Sequence, residues 1–567
     1  MTSIPITEPA PRRAKFLTAL DTKAITRPVL LSCALAGAAV VVVLAVFARV
    51  MCEGIGHDEH IYVGAGALIG RYALYQEVSY VHLPNLPILL HAILGDSPGY
   101  HFLAARLLIF VCWVAFLFAF AALCWRLSKS VLITSLALLL VVTNPLLIDQ
   151  PAMLVATALF PICLATFGFL FFVLATERAA KRTVYVFLCG IFLSLAIGFK
   201  ANYIIVVPPF VVAAFLLPRS LSVSDRLRRM VLPMGLGGLV AGLPALYYLL
   251  VHTDAFLFDT FEYFTGPHRA YWSEPARAAT VTGLSLPSRI LFAYRLWGTG
   301  ATVVILVGIF YCLAVFAMAR DRKAAWRQLT TYPILVALAL TVLGVLISFI
   351  VKPAFPQYYM PPIPFMILLA VCLLAVMTTE QRLHARPLIA ALAAGAFVLG
   401  APQLLQDLPR LAKPSTWTGL QVHDTARRIR EHLNLEGRRP RLATLSPIYA
   451  VDAGLDIYPQ LASGPFYYRI GDYLTAEQRA AYNITSPSTI GELFDAAPPD
   501  AILVGHEGEL DDPLEAYALS HGYIKVTEPL GADRYGDSIL YVHPASAAPA
   551  TNASQSMLAG GIITVMR

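Results

Sequence analysis

From Val29 to Gly400 the chain alternates long apolar runs with short polar connectors. A bilayer crossing needs roughly 20 mostly apolar residues in a helix. On that criterion about eleven runs qualify, near 29–50, 102–125, 131–148, 153–175, 183–199, 201–217, 230–251, 299–318, 331–351, 360–377 and 387–402. The pattern predicts a polytopic α-helical membrane protein. The first run has no small-residue cleavage site after it and reads as a retained span, not a signal peptide. Spans five and six are short and joined by FKAN, which suggests a tight or partly re-entrant pair.

Three polar stretches are too long to be connectors: 51–101, 252–297 and the region from 403 onward. Lys and Arg gather in the intervening loops: Arg126 and Lys129; Arg178, Lys181 and Arg182; Arg219, Arg226, Arg228 and Arg229; Arg320, Arg322, Lys323 and Arg327; Arg382 and Arg386. With Arg12, Arg13, Lys15, Lys23 and Arg27 of segment 1–28, they fall on one side. By the positive-inside rule that side is the cytoplasm. The N-terminus is then inside, and the first outer loop 51–101, the second outer loop 252–297 and the C-terminal region are outside. The expected location is the inner membrane of a bacterial cell.

Composition agrees: 58% of residues are hydrophobic and 14% charged, against about a quarter charged in a soluble domain. The net charge of +7 is dispersed in those loops, so it points to membrane lipids as neighbours and away from nucleic acid. Eight cysteines lie almost all within apolar runs, which marks them as small buried hydrophobes. The C-terminal region has none and so has no disulfide framework.

Residues 403–544 read as an extracytoplasmic α/β domain. GLQVHDTARRIREHLN places Leu420, Val422, Ala426, Ile429 and Leu433 at helical spacing. RLATL, AILVG, YIKV and SILYV read as strands. No glycine-rich phosphate loop follows any of them. The tail 545–567, rich in Ala and Ser, is expected to be disordered.

The chemistry is concentrated where spans end. GHDEHIY (56–62) sets Asp58 and Glu59 between His57 and His60 just after the first span, with Tyr62 following. The rest of that loop suggests an interfacial helix, a turn at Pro84–Pro87 and a second interfacial segment, with His82 and Asn85 among its polar groups. Asp149 lies at comparable depth after the third span. Cations at that depth are Arg106, Lys200 and Lys352, and the second outer loop adds His268 and Arg269 after a Gly-Pro turn. Its many aromatics read as an interfacial belt. Carboxylates and cations around one outer recess suit a phosphate-bearing substrate. The span centres, by contrast, carry almost no ionisable residues. An ion-coupled carrier would accept the cost of about 2.5–3.5 kcal/mol or more for each such charge, so the pattern favours surface chemistry.

These features together resemble the GT-C superfamily of polyprenyl-phosphate-sugar-dependent glycosyltransferases, in particular the branch with protein mannosyltransferases and the lipid A aminoarabinose transferase. The DE pair after the first span, Tyr62, the G…LY…P pattern, Arg106, LAIGFK ending at Lys200 and KPAFPQYYMPPIPF carry the likeness, over residues 25–405. It implies a catalytic membrane domain at 29–402. It also implies Asp58 as general base, with Glu59 beside it and Asp149 as a second acid. The donor phosphate would be held by Arg106, Lys200, Arg269 and Lys352. Tyr62, His82, Asn85 and His268 would bind the rest of the substrate. The chain departs from the aminoarabinose branch at His82-Leu83-Pro84-Asn85, where that branch has Lys-Pro-Pro.

The implied reaction is transfer of a hexosyl or pentosyl group from a polyprenyl-phosphate-linked sugar to a glycan, lipid or protein acceptor outside the membrane, with inversion. The resemblance singles out no cofactor, and His57, Glu59 and His60, with His82, offer donors for a divalent metal. Competing readings are an oligosaccharide ligase or polymerase, a lipid or polysaccharide transporter, and a non-catalytic membrane component.

Overall fold

The computed structural model describes residues 14–548, apart from 96–97, 280, 282, 320 and 438, with side chains from Ser32 onward. Each of the eleven apolar runs is helical. They form α1 (Ala14–Cys52), α4 (His101–Ser128), α5 (Val131–Val142), α6 (Leu159–Glu177), α7 (Arg182–Phe199), α8 (Val207–Leu216), α9 (Leu232–Val251), α10 (Gly300–Ala317), α11 (Tyr332–Ser348), α12 (Pro362–Val376) and α13 (Thr379–Leu405), with α2 (His57–Leu68) and α3 (Asn85–His91) in the first outer loop. Among the described residues eight helical segments are long and apolar enough to cross a membrane, and α11 makes a ninth with Arg322–Leu329 across a 64° bend. The shorter apolar segments are Val131–Val142 and Ala201–Leu216.

The third run, read as one span to residue 148, is broken. After α5 the chain makes two single turns, Pro145–Ile148 and Gln150–Met153. Pro145 and Pro151 lack amide donors, and a proline disfavours helix in the residue before it. Asn144 caps the break, its side chain accepting from Leu146 N at 3.0 Å and donating to Thr302 Oγ1 at 2.9 Å. Trp113 Nε1 holds the second turn through Ala152 O at 2.8 Å.

Close packing relies on small residues. In α7 and α9, Cβ atoms at Gly190 and Gly237 would stand 2.0 and 2.1 Å from Met234 O and Phe187 O on the opposite helix. Small residues let helix backbones approach where lipid gives no hydrophobic drive for association. At the bundle centre lies α12, buried from Pro362 through Leu374. All eight cysteines are free, and all but Cys33 are buried.

The C-terminal unit starts with an amphipathic helix, α14 (Thr418–Glu431), that buries Val422, Ala426 and Ile429. Its sheet has the order β2-β1-β3-β5-β4, with β1 (Arg441–Thr444), β2 (Asp456–Ile457), β3 (Ala501–Val504), β4 (Ile524–Lys525) and β5 (Ile539–Val542). β1 runs parallel to β2 and β3, while β5 is antiparallel to β3 and β4. The four strands read from sequence are present; the two-residue β2 is too short to announce itself. The tail boundary moves: Ser546 donates to Asp500 and its carbonyl accepts from Asn434 N, so residues to 548 belong to this unit. Residues 549–567 and 1–13 lie outside the described residues, and α1 takes up the remainder of the segment expected to precede the first span.

This unit is seated on both outer loops. Asp259 is buried and accepts from Tyr80 N at 2.8 Å and Tyr467 OH at 2.7 Å, joining first loop, second loop and C-terminal unit. Phe258 stacks on Tyr482 at 4.0 Å, and Tyr263 and Tyr271 are buried. The aromatics expected to float in a lipid interface instead pack largely against protein. Gly64 of α2 meets Ala462, where an added Cβ would stand 1.9 Å from the carbonyl oxygen. Gly64→Ala should therefore cost about 1–3 kcal/mol, seen as a lower unfolding temperature of the detergent-purified protein.

Candidate functional site

α2 begins inside the GHDEHIY motif, with Gly56 as its N-cap. Acidic residues in a first helical turn are stabilised by the positive end of the helix dipole. The two carboxylates then part. Glu59 points inward and is fully buried, accepting from Gly56 N at 3.0 Å, Val155 N at 2.7 Å and Arg106 Nη2 at 2.7 Å. Arg106, also fully buried, donates to the Val50 and Glu53 carbonyls at 2.8 and 3.1 Å. Acid and base neutralise each other and fix the turn between α1 and α2. Arg106 has no face open to a donor phosphate, and Glu59 none to a substrate or metal.

Asp58 faces the other way and is half-buried. Burial raises its carboxyl above the ordinary range, against the opposing pull of Lys200, His57 and Arg469. Lys200 ends α7. It is 9% exposed, its Nζ lies 5.1 Å from the Tyr358 ring centroid, and burial pulls its amine down to about 8 while Asp58 supports its charge. The linkage from α3 to α7 sets its place: Asn85 donates to Leu195 O at 3.4 Å and lies where a side chain at Gly198 would be, 2.1 Å from an ideal Cβ. Tyr62 is buried near Asp58, bonded to Thr157 Oγ1 at 3.2 Å and stacked on His82 at 5.8 Å. Burial and the nearby Lys200 charge hold His82 neutral, with its pKa about 3.

Arg469, from the C-terminal unit, was not anticipated. Its guanidinium lies 5.2 Å from the Trp272 ring, 5.3 Å from Tyr271 and 4.4 Å from Phe466. His268 is buried close by; burial and then Arg469 lower its pKa to about 3. The available signal was an arginine ending the aromatic stretch FYYR in a domain read only for strands and helices.

The remaining expectations separate from this group. Asp149 is exposed, and its charge acts on Glu53. Glu53 belongs to a network in which Arg49 binds both Glu53 at 2.8 Å and Asp407 at 2.6 Å. Arg269 is exposed and Lys352 half-buried. His57 pairs with Glu507 at 3.0 Å and packs at a tilt on the Tyr535 ring, centroids 3.9 Å apart. His60 is buried with neither ring nitrogen hydrogen-bonded. The metal-donor set His57, Glu59 and His60 therefore does not converge: among the described residues no group of three or more His, Cys, Asp or Glu side chains could hold a metal ion.

The chain is a polytopic helical bundle whose outer loops are covered by an α/β unit, with Asp58 and Lys200 near their junction. No family model and no curated protein sequence matches the chain. Among solved structures, it is similar to ArnT from Cupriavidus metallidurans bound to undecaprenyl phosphate: 13% identity, TM-score 0.58, 91% of this chain and 99% of that one. ArnT from the same organism in the apo state gives 14% identity, TM-score 0.53, and 93% and 100% coverage. An oligosaccharyltransferase of Archaeoglobus fulgidus, in complex with Zn and sulfate, gives 13% identity, TM-score 0.45, and 88% and 73% coverage. ArnT has the GT-C fold, and this chain shares that fold.

Proposed function

We propose that the protein is an inverting glycosyltransferase, moving a sugar from a polyprenyl phosphate to an acceptor hydroxyl at the outer face of the membrane. The observation that carries this reading is that Asp58 and the buried Lys200 act electrostatically on each other, without an ion-pair contact, where the membrane bundle meets the outer loops. The ArnT neighbour bound to undecaprenyl phosphate supports the lipid class of the donor. The N-terminal side of the bundle is assigned to the cytoplasm by its arginines and lysines.

In the reaction, the acceptor oxygen attacks the anomeric carbon while the bond from that carbon to the phosphate oxygen breaks. The bonding pair leaves on the polyprenyl monophosphate, whose added charge Lys200 stabilises. A fixed cation in a partly dry site is effective there because it needs no reorganisation as charge develops. The acceptor proton goes to Asp58. Burial makes Asp58 a stronger base than an ordinary aspartate, and the single displacement inverts the sugar. Tyr62 and His82 form a neutral, stacked wall beside the reacting groups.

The direct test incubates purified protein with polyprenyl-phosphate-linked sugars and acceptor mixtures extracted from the cell envelope. Release of polyprenyl monophosphate with an inverted glycoside supports the reading; intact donor with every sugar and acceptor fraction tried rejects it. The pH profile has a defined shape. The rate should rise as Asp58 deprotonates, above the usual carboxylate range, and fall near pH 8 as Lys200 loses its proton. Steady-state kcat/KM across pH reads both limbs.

A further inference from the structure

Among the described residues the buried cations outside this site have partners: Arg289 donates to the carbonyls of Ser285 and Phe349. Arg49 and Arg106 are each paired with carboxylates at 2.6 to 2.8 Å. Around Asp58 the arrangement differs: among the described residues no carboxylate lies within ion-pair distance of Lys200 Nζ or of the Arg469 guanidinium. Arg469 Nε is buried without a hydrogen-bond partner. Burying a charge is costly unless it is paired and hydrogen-bonded. Lys200 is buried and Arg469 half-buried, both act on Asp58 without an ion-pair contact, and two such cations at one site point to an anionic ligand.

Their surroundings fit complementary parts of one phosphate. Lys200 closes a span and presents a compact charge from the membrane side. Arg469 comes from the opposite, outer side. Its planar fork is held in orientation by the rings of Tyr271, Trp272 and Phe466, and such a fork can meet two phosphate oxygens at once. The unit bearing it is anchored by Tyr467, whose hydroxyl binds Asp259, and by Phe466, whose carbonyl accepts from Tyr263 OH at 3.2 Å.

We infer that Arg469 is the second phosphate-holding residue of the donor site, gripping the lipid phosphate from the outer side while Lys200 holds it from the membrane side. This rests on the proposed glycosyltransferase reading and goes beyond it: the C-terminal unit is part of the donor site, not merely a cover over it.

The test uses the full chain in nanodiscs and two probes of equal tail length, undecaprenyl phosphate and undecaprenol. Wild type should prefer the phosphate. Arg469→Met, which keeps an apolar stem against the aromatic rings, should lose tenfold or more of phosphate affinity and leave undecaprenol binding unchanged. Arg469→Lys should recover part of the loss. A merely structural role would lower both affinities together, and that result overturns the inference. So does a variant that binds the phosphate as wild type does. If Arg469→Met does not fold, Arg469→Lys decides: wild-type phosphate affinity together with a full transfer rate would overturn the assignment of the fork, and reduced phosphate preference supports it. Failure of the wild-type protein to distinguish phosphate from alcohol would instead remove the donor reading beneath it.

Discussion

Asp58→Asn should abolish nearly all transfer while leaving donor binding intact. Positioned general-base catalysis contributes about 10²–10⁴-fold, and the amide has no lone pair basic enough to take the acceptor proton. The substitution is close to isosteric at the second position of α2, where the backbone bonds come from Gly56, Glu59 and their neighbours, so the fold should persist. It also removes the negative charge set against Lys200, so the donor phosphate should bind at least as tightly as in wild type. The expected kinetic signature is a collapse of kcat with KM for the donor unchanged or lower. Asp58→Glu should restore a fraction, because the longer carboxylate is basic but displaced. Asp149→Asn is the matched control. That side chain is exposed on the side of Glu53, and transfer should be little affected. If Asp58→Asn turns over at the wild-type rate, Asp58 is not the base.

The bundle could be read from sequence because a bilayer requires every crossing to be apolar over its full length, and that requirement is visible residue by residue. Its interruptions were less visible. Pro145 to Ile148 is apolar enough to continue a span, and only Asn144-Pro145 marks the break ahead of it. The position of Asp58 was legible because a carboxylate at the edge of an apolar run is conspicuous. Its separation from Glu59 was not, since adjacent residues on a helix point about 100° apart and nothing in HDEH says which of them turns inward. Arg106 and Lys200 look alike in sequence, each a lone cation near a span end. What distinguishes them is whether a carboxylate folds back to meet them, and that partner lies in a different segment. Arg469 was the least accessible, since its role depends on how the C-terminal unit sits on loops that are remote in the chain.

Arg106 gives the clearest means of separating a structural cation from a substrate-holding one. In sequence it was a candidate for the donor phosphate; in the fold it is fully buried on Glu59 at 2.7 Å and on the carbonyls of Val50, Glu53 and Gly54. Removing one partner of a buried pair leaves an uncompensated charge and costs about 3–5 kcal/mol. Arg106→Ala should therefore appear first as lost folded protein: a lower unfolding temperature and poor recovery as a monodisperse peak in detergent. Glu59→Gln should also destabilise, since the neutral amide forfeits the charge-assisted bond to Arg106 and turns a donor toward the Gly56 or Val155 amide. The combination Arg106→Met with Glu59→Gln removes both charges and should recover much of the loss, because replacing a whole buried pair is often near neutral. Transfer per folded molecule in that double variant should stay within a few-fold of wild type. A phosphate-holding Arg106 would give the reverse result, a stable single variant with weak donor binding that no second change at Glu59 could rescue.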